Sequence, residues 1–512
     1  MNDPVVFWSW IFLIAFVGLF IAMGYMGMRR TKTADDFAVA RSSYGPWVLG
    51  LAFVATVASG STFLGMPGLA YDLGFPSLWY PILYPIGIYL GMLMSAKLIK
   101  TMGDRFGNRS IPEFVGARYD SDFLRLGMTL VSFLLLFYIT AQLVAAATLF
   151  QVMMGMPYIP ALFFTAGVLL VYIVMGGSHA DILTDAVQGL LMLSIAVAIA
   201  VMFFTGFGVE GGPTTINQRV DEMTGAGWDT FFIPGHPTFG AAWLVILLLI
   251  AHLPFGILPH LGNKFMALSN ARQMRQFAMF AIIAGGILPM MALGGFVGAA
   301  VIGPGLDRPD QVIPVLFTEV FPPIVAAFLA VAIISAVLST SDGLVVSVSQ
   351  LLANDLYRKQ FARNQPEEVV DRRALLIGRI GVVLALVAGI ALAWNPPEYL
   401  AVLLWVGVGG IVSGLAGPVL IGSLWRRATK TAAIISFVAG VAAYGFFYLP
   451  LIDPLGFAPG PEAGEGNPFA AGGMGVIVGS IVMLVATPLT RPMPEEFVDR
   501  VFGERRSPAR EA

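Results

Sequence analysis

The sequence predicts an all-α integral membrane protein with thirteen transmembrane helices. Three observations carry that expectation. The 512 residues are 57% hydrophobic and only 12% charged, with a mean hydropathy of +0.81; a soluble chain of this length needs more charge on its surface. Apolar stretches of eighteen or more residues recur along nearly the whole chain, each long enough to cross the hydrocarbon layer as a helix. Lys and Arg also concentrate in alternate connections between those stretches, the pattern that orients a polytopic chain.

The spans fall at roughly 6–27, 45–70, 77–98, 124–152, 158–176, 181–206, 239–263, 275–303, 322–352, 374–394, 398–424, 430–450 and 470–489. The first has no basic region before it and no A-x-A cleavage site after it, and it runs straight into Arg29 and Arg30. It reads as a retained helix with its N-terminus outside. Inner connections then carry Arg29, Arg30, Lys32 and Arg41, the group from Lys97 to Arg125, and Lys264, Arg272 and Arg275. They continue with Arg358 to Arg379, Arg426, Arg427 and Lys430, and five arginines after Thr490. Only Arg219 and Arg308 lie on the other side, so twenty-seven of the twenty-nine basic residues face inward. The outer connections Gly206–Gly240 and Gly303–Pro323 are long and rich in Pro and Gly, and are expected to form partial lids. The tail from Thr490 is expected to be cytoplasmic and loosely ordered.

The second span, within 45–70, contains LAFVATVASGSTFLGMPG. Thr56, Ser59, Gly60, Ser61 and Thr62 are followed by Gly65, Pro67 and Gly68, a poor helix interior. Lipid offers no partners to a free backbone group. An unwound turn here is tolerable only where its carbonyls and amides meet protein, water or a bound solute. The competing reading is a tight helix–helix contact, because small residues let backbones approach. Span seven carries a second interruption in HLPFGILPHLG, with Pro254, Gly256, Pro259, His260 and Gly262. Spans two and seven stand five apart, so the breaks hold corresponding places in two five-span halves. An odd number of spans per half turns the second upside down relative to the first. Inverted repeats with a discontinuous helix in each mark a secondary transporter. The division that follows is 1–44 for an extra helix and inner loop, 45–206 and 239–424 for the repeats with outer loop 207–238 between them, 425–489 for spans twelve and thirteen, and 490–512 for the tail.

Two ionisable residues lie inside spans: Asp185 in DILTDAVQG and Asp342 in ISAVLSTSDGLVVSVSQ. No Lys or Arg is expected at comparable depth. A buried carboxylate with no basic partner stays protonated or holds a cation. Carboxylates, the hydroxyls of Ser339 and Thr340, and the Ala55–Ala58 backbone form an oxygen-only set suited to a hard monovalent ion. Gln142 in span four is a polar group that either faces the same cavity or bonds a neighbouring helix. Other chemistries find little footing. There is no cysteine, the four histidines have no metal-binding spacing, and no nucleotide loop, soluble catalytic domain or nucleic-acid signature is present. The paired acids lack a nucleophile–base constellation, which argues against a membrane enzyme.

The chain resembles the sodium:solute symporter family, which includes proline, sugar, sialate, monocarboxylate and pantothenate permeases. The resemblance is carried by ATVASGSTFLGMPG, GGSHADILTDAVQGLLML, LPHLGNKFMA, AVLSTSDGLVVSVSQLLANDLY and AWNPPEYL. It implies a LeuT-like five-plus-five inverted-repeat core with broken first and sixth core helices, and span one as an extra helix. It implies a main sodium site formed by the Ala55 and Ala58 carbonyls with Ala336, Ser339 and Thr340. It implies a second sodium position at Asp185 with Ser339 and Asp342, giving one or two coupling ions. Proline permeases carry an aspartate where Val57 stands here, and span three lacks the Gln, Asn or Glu of sugar carriers. The resemblance therefore leans to pantothenate and monocarboxylate carriers, whose solute is a small organic anion. Thr56, Ser59, Gly60, Ser61, Thr62, Gln142 and Phe255 are the candidate lining residues. The expected activity is sodium-coupled symport in a bacterial inner membrane, with N-terminus outside, C-terminus cytoplasmic and a monomer sufficient. A transporter-like sensor and a proton-coupled symporter are the alternatives.

Overall fold

The computed structural model describes residues 4–395, 400–449, 455–457 and 467–503. The Pro396–Tyr399 part of AWNPPEYL and the last three arginines of the tail lie outside them. Every regular element among the described residues is helical. Length and apolarity alone return ten spans, or twelve when two sharply bent helix pairs each count as one, in place of the expected thirteen.

The difference lies in Tyr158–Thr205, which runs 48 residues with non-helical backbone at Gly177, φ 51 and ψ −137. At 1.5 Å per residue it would be about 72 Å long, more than twice a hydrocarbon layer of about 30 Å. The positive φ is one that only glycine adopts at no steric cost. A Cβ there would also press into Phe37 at 2.5 Å. The bent pairs are Pro46–Val57 with Ser61–Leu73, at 58°, and Ala242–Ile257 with Pro259–Ala267, at 46°. They coincide with the interruptions read in spans two and seven.

Prolines open several helices, among them Pro46, Pro259, Pro323 and Pro468, where a missing N–H costs nothing. The helix Pro323–Gln350 passes through the middle of the molecule; from Ala330 to Gln350 every residue is buried. The helix Trp79–Phe106 packs against the second break so closely that a Cβ on Gly91 would overlap the Leu253 carbonyl. The two long connections expected to lie outside each contain a short helix, Pro213–Thr224 and Val312–Val320, which packs on Leu293–Ile302. The tail is more ordered than expected as far as Gly503. Its helix Glu495–Phe502 is docked by Arg426 on Asp499 at 2.5 Å and on the Gly503 carbonyl at 3.0 Å, with Arg118 over the Phe502 ring. Elsewhere, Asp35 bridges Arg109 at 3.0 Å and Arg41 at 3.3 Å. Burial would raise this carboxyl, but the two guanidiniums outweigh it and hold it below the usual value.

Gly91→Val should lower the melting temperature of the detergent-solubilised protein by about 1–3 °C, since overpacking a tight contact costs about 1–3 kcal/mol and the shift shrinks with chain length. Gly286→Ala, where an added Cβ meets nothing within 4 Å, should leave it unchanged in the same thermal-shift measurement.

Candidate ion and solute site

The first break exists because its sequence offers the backbone better partners than a helix would. The helix Pro46–Val57 stops at Ala58, whose φ of −83 and ψ of 87 are no longer helical. Ser59 then turns its hydroxyl back to accept from the Ser61 N–H at 3.2 Å, a local bond that competes with the helical ladder. The chain resumes as a wide turn over Ser61–Gly65 and continues as Met66–Leu73. The last carbonyls before the break are left facing Pro323–Gln350. Ser339 Oγ donates to the Ala55 carbonyl at 3.1 Å and lies 2.7 Å from that of Ala336; Thr340 Oγ1 donates to the Thr56 carbonyl at 3.1 Å. Ala55, Ala336, Ser339 and Thr340 thus come together as expected. Ala58 ends the helix and is not among the carbonyls these hydroxyls reach; Thr56 takes that place. The group offers oxygens throughout, with Met192 Sδ no nearer than 4.0 Å to Ser339. That chemistry fits a hard, weakly charged ion.

The acids are not unpartnered, and here the sequence expectation is corrected. Lys264, read as an inner-loop residue, is 2% exposed. Its ammonium lies 2.9 Å from Asp181 Oδ2 and 2.7 Å from Asp185 Oδ2. The reason is the second break: Pro259 restarts the helix as Pro259–Ala267, which keeps Lys264 at the depth of the facing acids. Asp185 Oδ2 also accepts from Thr56 Oγ1 at 2.7 Å, so the Thr56 side chain, expected to line the solute, belongs to the charge cluster. Asp342 accepts from Tyr172, Thr184 and the Gly343 N–H at 3.2, 3.2 and 2.9 Å. Oxygens of Asp181, Asp185 and Asp342 lie within 4.8 Å of one another. Ser339 donates to backbone carbonyls rather than to Asp185 or Asp342, whose carboxylates stand together in that cluster.

The solute candidates gather beside the first break. Ser59, Ser61, Thr62, Gln142 and Phe255 are all buried. The Gly60 N–H donates to Gln142 Oε1 at 2.8 Å. A Cβ on Gly60 would stand 2.8 Å from Ala145 Cβ and 3.1 Å from that same oxygen. Ser61 Oγ and Gln142 Nε2 have no protein partner. Phe255 stacks near His252 and Trp405, with ring centroids at 5.7 and 5.8 Å, and lies 6.3 Å from Tyr138. Sequence reasoning missed Tyr80, Tyr84 and Tyr138, whose hydroxyls approach Ser61, Thr62 and Ser59. The i, i+4 spacing of Tyr80 and Tyr84, one turn apart on one helix face, was the available signal.

A family model described as the sodium:solute symporter family matches residues 37–440. The high-affinity proline transporter of Bacillus subtilis (strain 168) is 28% identical over 436 residues, covering 82% of this chain and 88% of that one. The sodium/pantothenate symporter of Escherichia coli (strain K12) is 28% identical over 462 residues, covering 87% and 92%. Among solved structures, a sodium-coupled sialic acid symporter in a substrate-bound outward-open state superposes with a TM-score of 0.74 at 19% identity, over 95% of this chain and 98% of that one.

Lys264→Met should reduce the folded yield sharply, because stripping the partner from buried carboxylates costs about 3–5 kcal/mol. Adding Asp181→Asn and Asp185→Asn to it should restore much of the loss, read as monodisperse protein recovered from membranes by fluorescence-detected size exclusion.

Proposed function

The chain belongs to the sodium:solute symporter family, and on that premise we propose that it couples inward movement of one small organic carboxylate to sodium by alternating access. Sodium is the coupling ion of the family. The observation that carries the proposal is the meeting of the Ala55 and Thr56 carbonyls, freed by the broken helix, with Ser339 and Thr340. An ion held there ties the first repeat to the second. Binding it favours the state in which the neighbouring Ser59–Thr62 segment is formed, so solute affinity rises. Linkage requires solute to raise sodium affinity by the same factor, usually 1–3 kcal/mol. A membrane potential of 100 mV adds about 2.3 kcal/mol of drive per sodium charge.

The carboxylate reading rests on local chemistry. Val57 stands where proline carriers have an aspartate, and Ser61, Thr62 and the Gly60 backbone lie beside aromatic rings. A solute carboxylate would meet amides of the broken helix and the nearby ion. The relatives divide between proline and pantothenate carriers at equal identity, so the solute is assigned from the site. Thirteen crossings follow if the Gly177 break separates two spans, which leaves the N-terminus outside and the C-terminus in the cytoplasm of a bacterial cell.

Uptake into proteoliposomes under an imposed sodium gradient tests this, with pantothenate, pyruvate, lactate, acetate and proline as labelled solutes. Pantothenate or a monocarboxylate should accumulate, and proline should not. Ser339→Ala and Thr340→Ala should each lose at least nine-tenths of sodium-stimulated uptake while still inserting; unchanged sodium dependence in both would end the assignment.

A further inference from the structure

From the Ser339–Thr340 pair, one face of the helix Pro323–Gln350 continues in four-residue steps through Gly343 to Ser347, about 6 and 12 Å further along. Asp185 and Asp181 repeat the four-residue step on the opposing helix. At the level of Asp181 the packing leaves a small pocket, lined in part by Asp181, Ser178, His260, Asn263, Lys264 and Ser347. Several of its polar atoms lack partners. Asp181 Oδ1, Asn263 Oδ1, Ser347 Oγ and both ring nitrogens of His260 have no hydrogen bond, in residues only 5%, 8%, 3% and 2% exposed. Buried groups of this kind are normally satisfied.

The unsatisfied atoms share a polarity. A carboxylate oxygen and an amide oxygen only accept, a hydroxyl offers lone pairs, and a neutral imidazole offers one in either tautomer. They line a pocket beside a cluster in which Lys264 bridges Asp181 and Asp185 and a third carboxylate, Asp342, lies within 4.8 Å. Lys264 meets the Oδ2 atoms of Asp181 and Asp185 and makes no bond to Asp181 Oδ1. It does restrict the class of occupant: a divalent ion so close to an ammonium meets twice the repulsion of a monovalent one. The lining has no sulfur donor to favour a soft metal.

We propose that this pocket binds one monovalent alkali cation, sodium in the cell, on Asp181 Oδ1 with Asn263 and Ser347, while His260 bonds the ion's water. It is separate from the group formed by Ala55, Thr56, Ser339 and Thr340, and from the second position expected at Asp185 and Asp342. The inference rests on the sodium-symport reading.

The test is equilibrium binding of radioactive sodium to the purified full-length protein in lipid nanodiscs. The wild type should bind two ions per chain. Asn263→Ala and Ser347→Ala should each weaken one of them at least tenfold and leave the other unchanged, and Ser339→Ala should do the reverse. Thallous ion, a heavy monovalent probe, should give density beside Asp181 in the wild type, a readout that needs no variant to fold. One ion per chain lost entirely in Ser339→Ala, or no thallous density beside Asp181, overturns the proposal. Two bound ions without sodium-stimulated uptake would instead sink the symport reading and leave the pocket standing.

Discussion

A helix interrupted inside a membrane has to find partners for its own backbone, and the rest of this structure follows from where it finds them. Water is absent from the hydrocarbon layer, so a carbonyl left without a donor costs several kcal/mol. The break after Val57 frees the carbonyls of Ala55 and Thr56, and the donors that meet them come from Ser339 and Thr340, more than 280 residues further along. The same two contacts therefore satisfy the broken helix and tie it to the helix Pro323–Gln350. Hydroxyls are well chosen for this. Each can donate to a carbonyl or, rotated, turn a lone pair to a cation, so the contact tolerates both states of the site.

The charge cluster joins the two breaks. The Thr56 hydroxyl, one residue before the end of the first broken helix, reaches Asp185. Asp185 reaches Lys264, which rides on the segment that restarts after the second break. A buried ion pair is weak evidence for stability, because desolvation offsets much of the attraction. Its value here is geometric: it fixes how deep Pro259–Ala267 sits relative to the helix of Asp181 and Asp185.

What the sequence made legible was whatever breaks a pattern. Pro67, Gly60 and the run of hydroxyls, and Pro254, Gly256 and Pro259 in the second half, violate helix propensity inside apolar spans, and both violations became bends. Lys264 was misread for an instructive reason. It follows the apparent span edge by one residue, and depth counted along an unbroken helix puts it at the surface. The restart at Pro259 resets that count, which no linear reading of hydropathy reports. Asp181 was passed over because it lies close to the predicted start of span six, at the break that Gly177 makes. Tyr80 and Tyr84 hid in an aromatic span whose rings could equally have faced lipid. The docked tail could not be seen at all, since Arg426 meets Asp499 only once the final spans are packed.

Coupling between ion and solute needs an element whose arrangement both of them bias. In the symport proposed above, the six residues from Ala55 to Gly60 are placed to be that element. Its first two carbonyls face the Ser339–Thr340 oxygens, and its last amide is held by Gln142. The non-helical turn at Ala58 lies between them. A shift of that turn moves both ends, because the flanking segments are packed too tightly to absorb it: a Cβ on Gly60 already has no room against Ala145. The proposed ion and solute groups, so close along one non-helical turn, do not need a long pathway through the protein. On the proposed symport, the coupling free energy is the difference in how well a single turn of backbone serves two ligands at once.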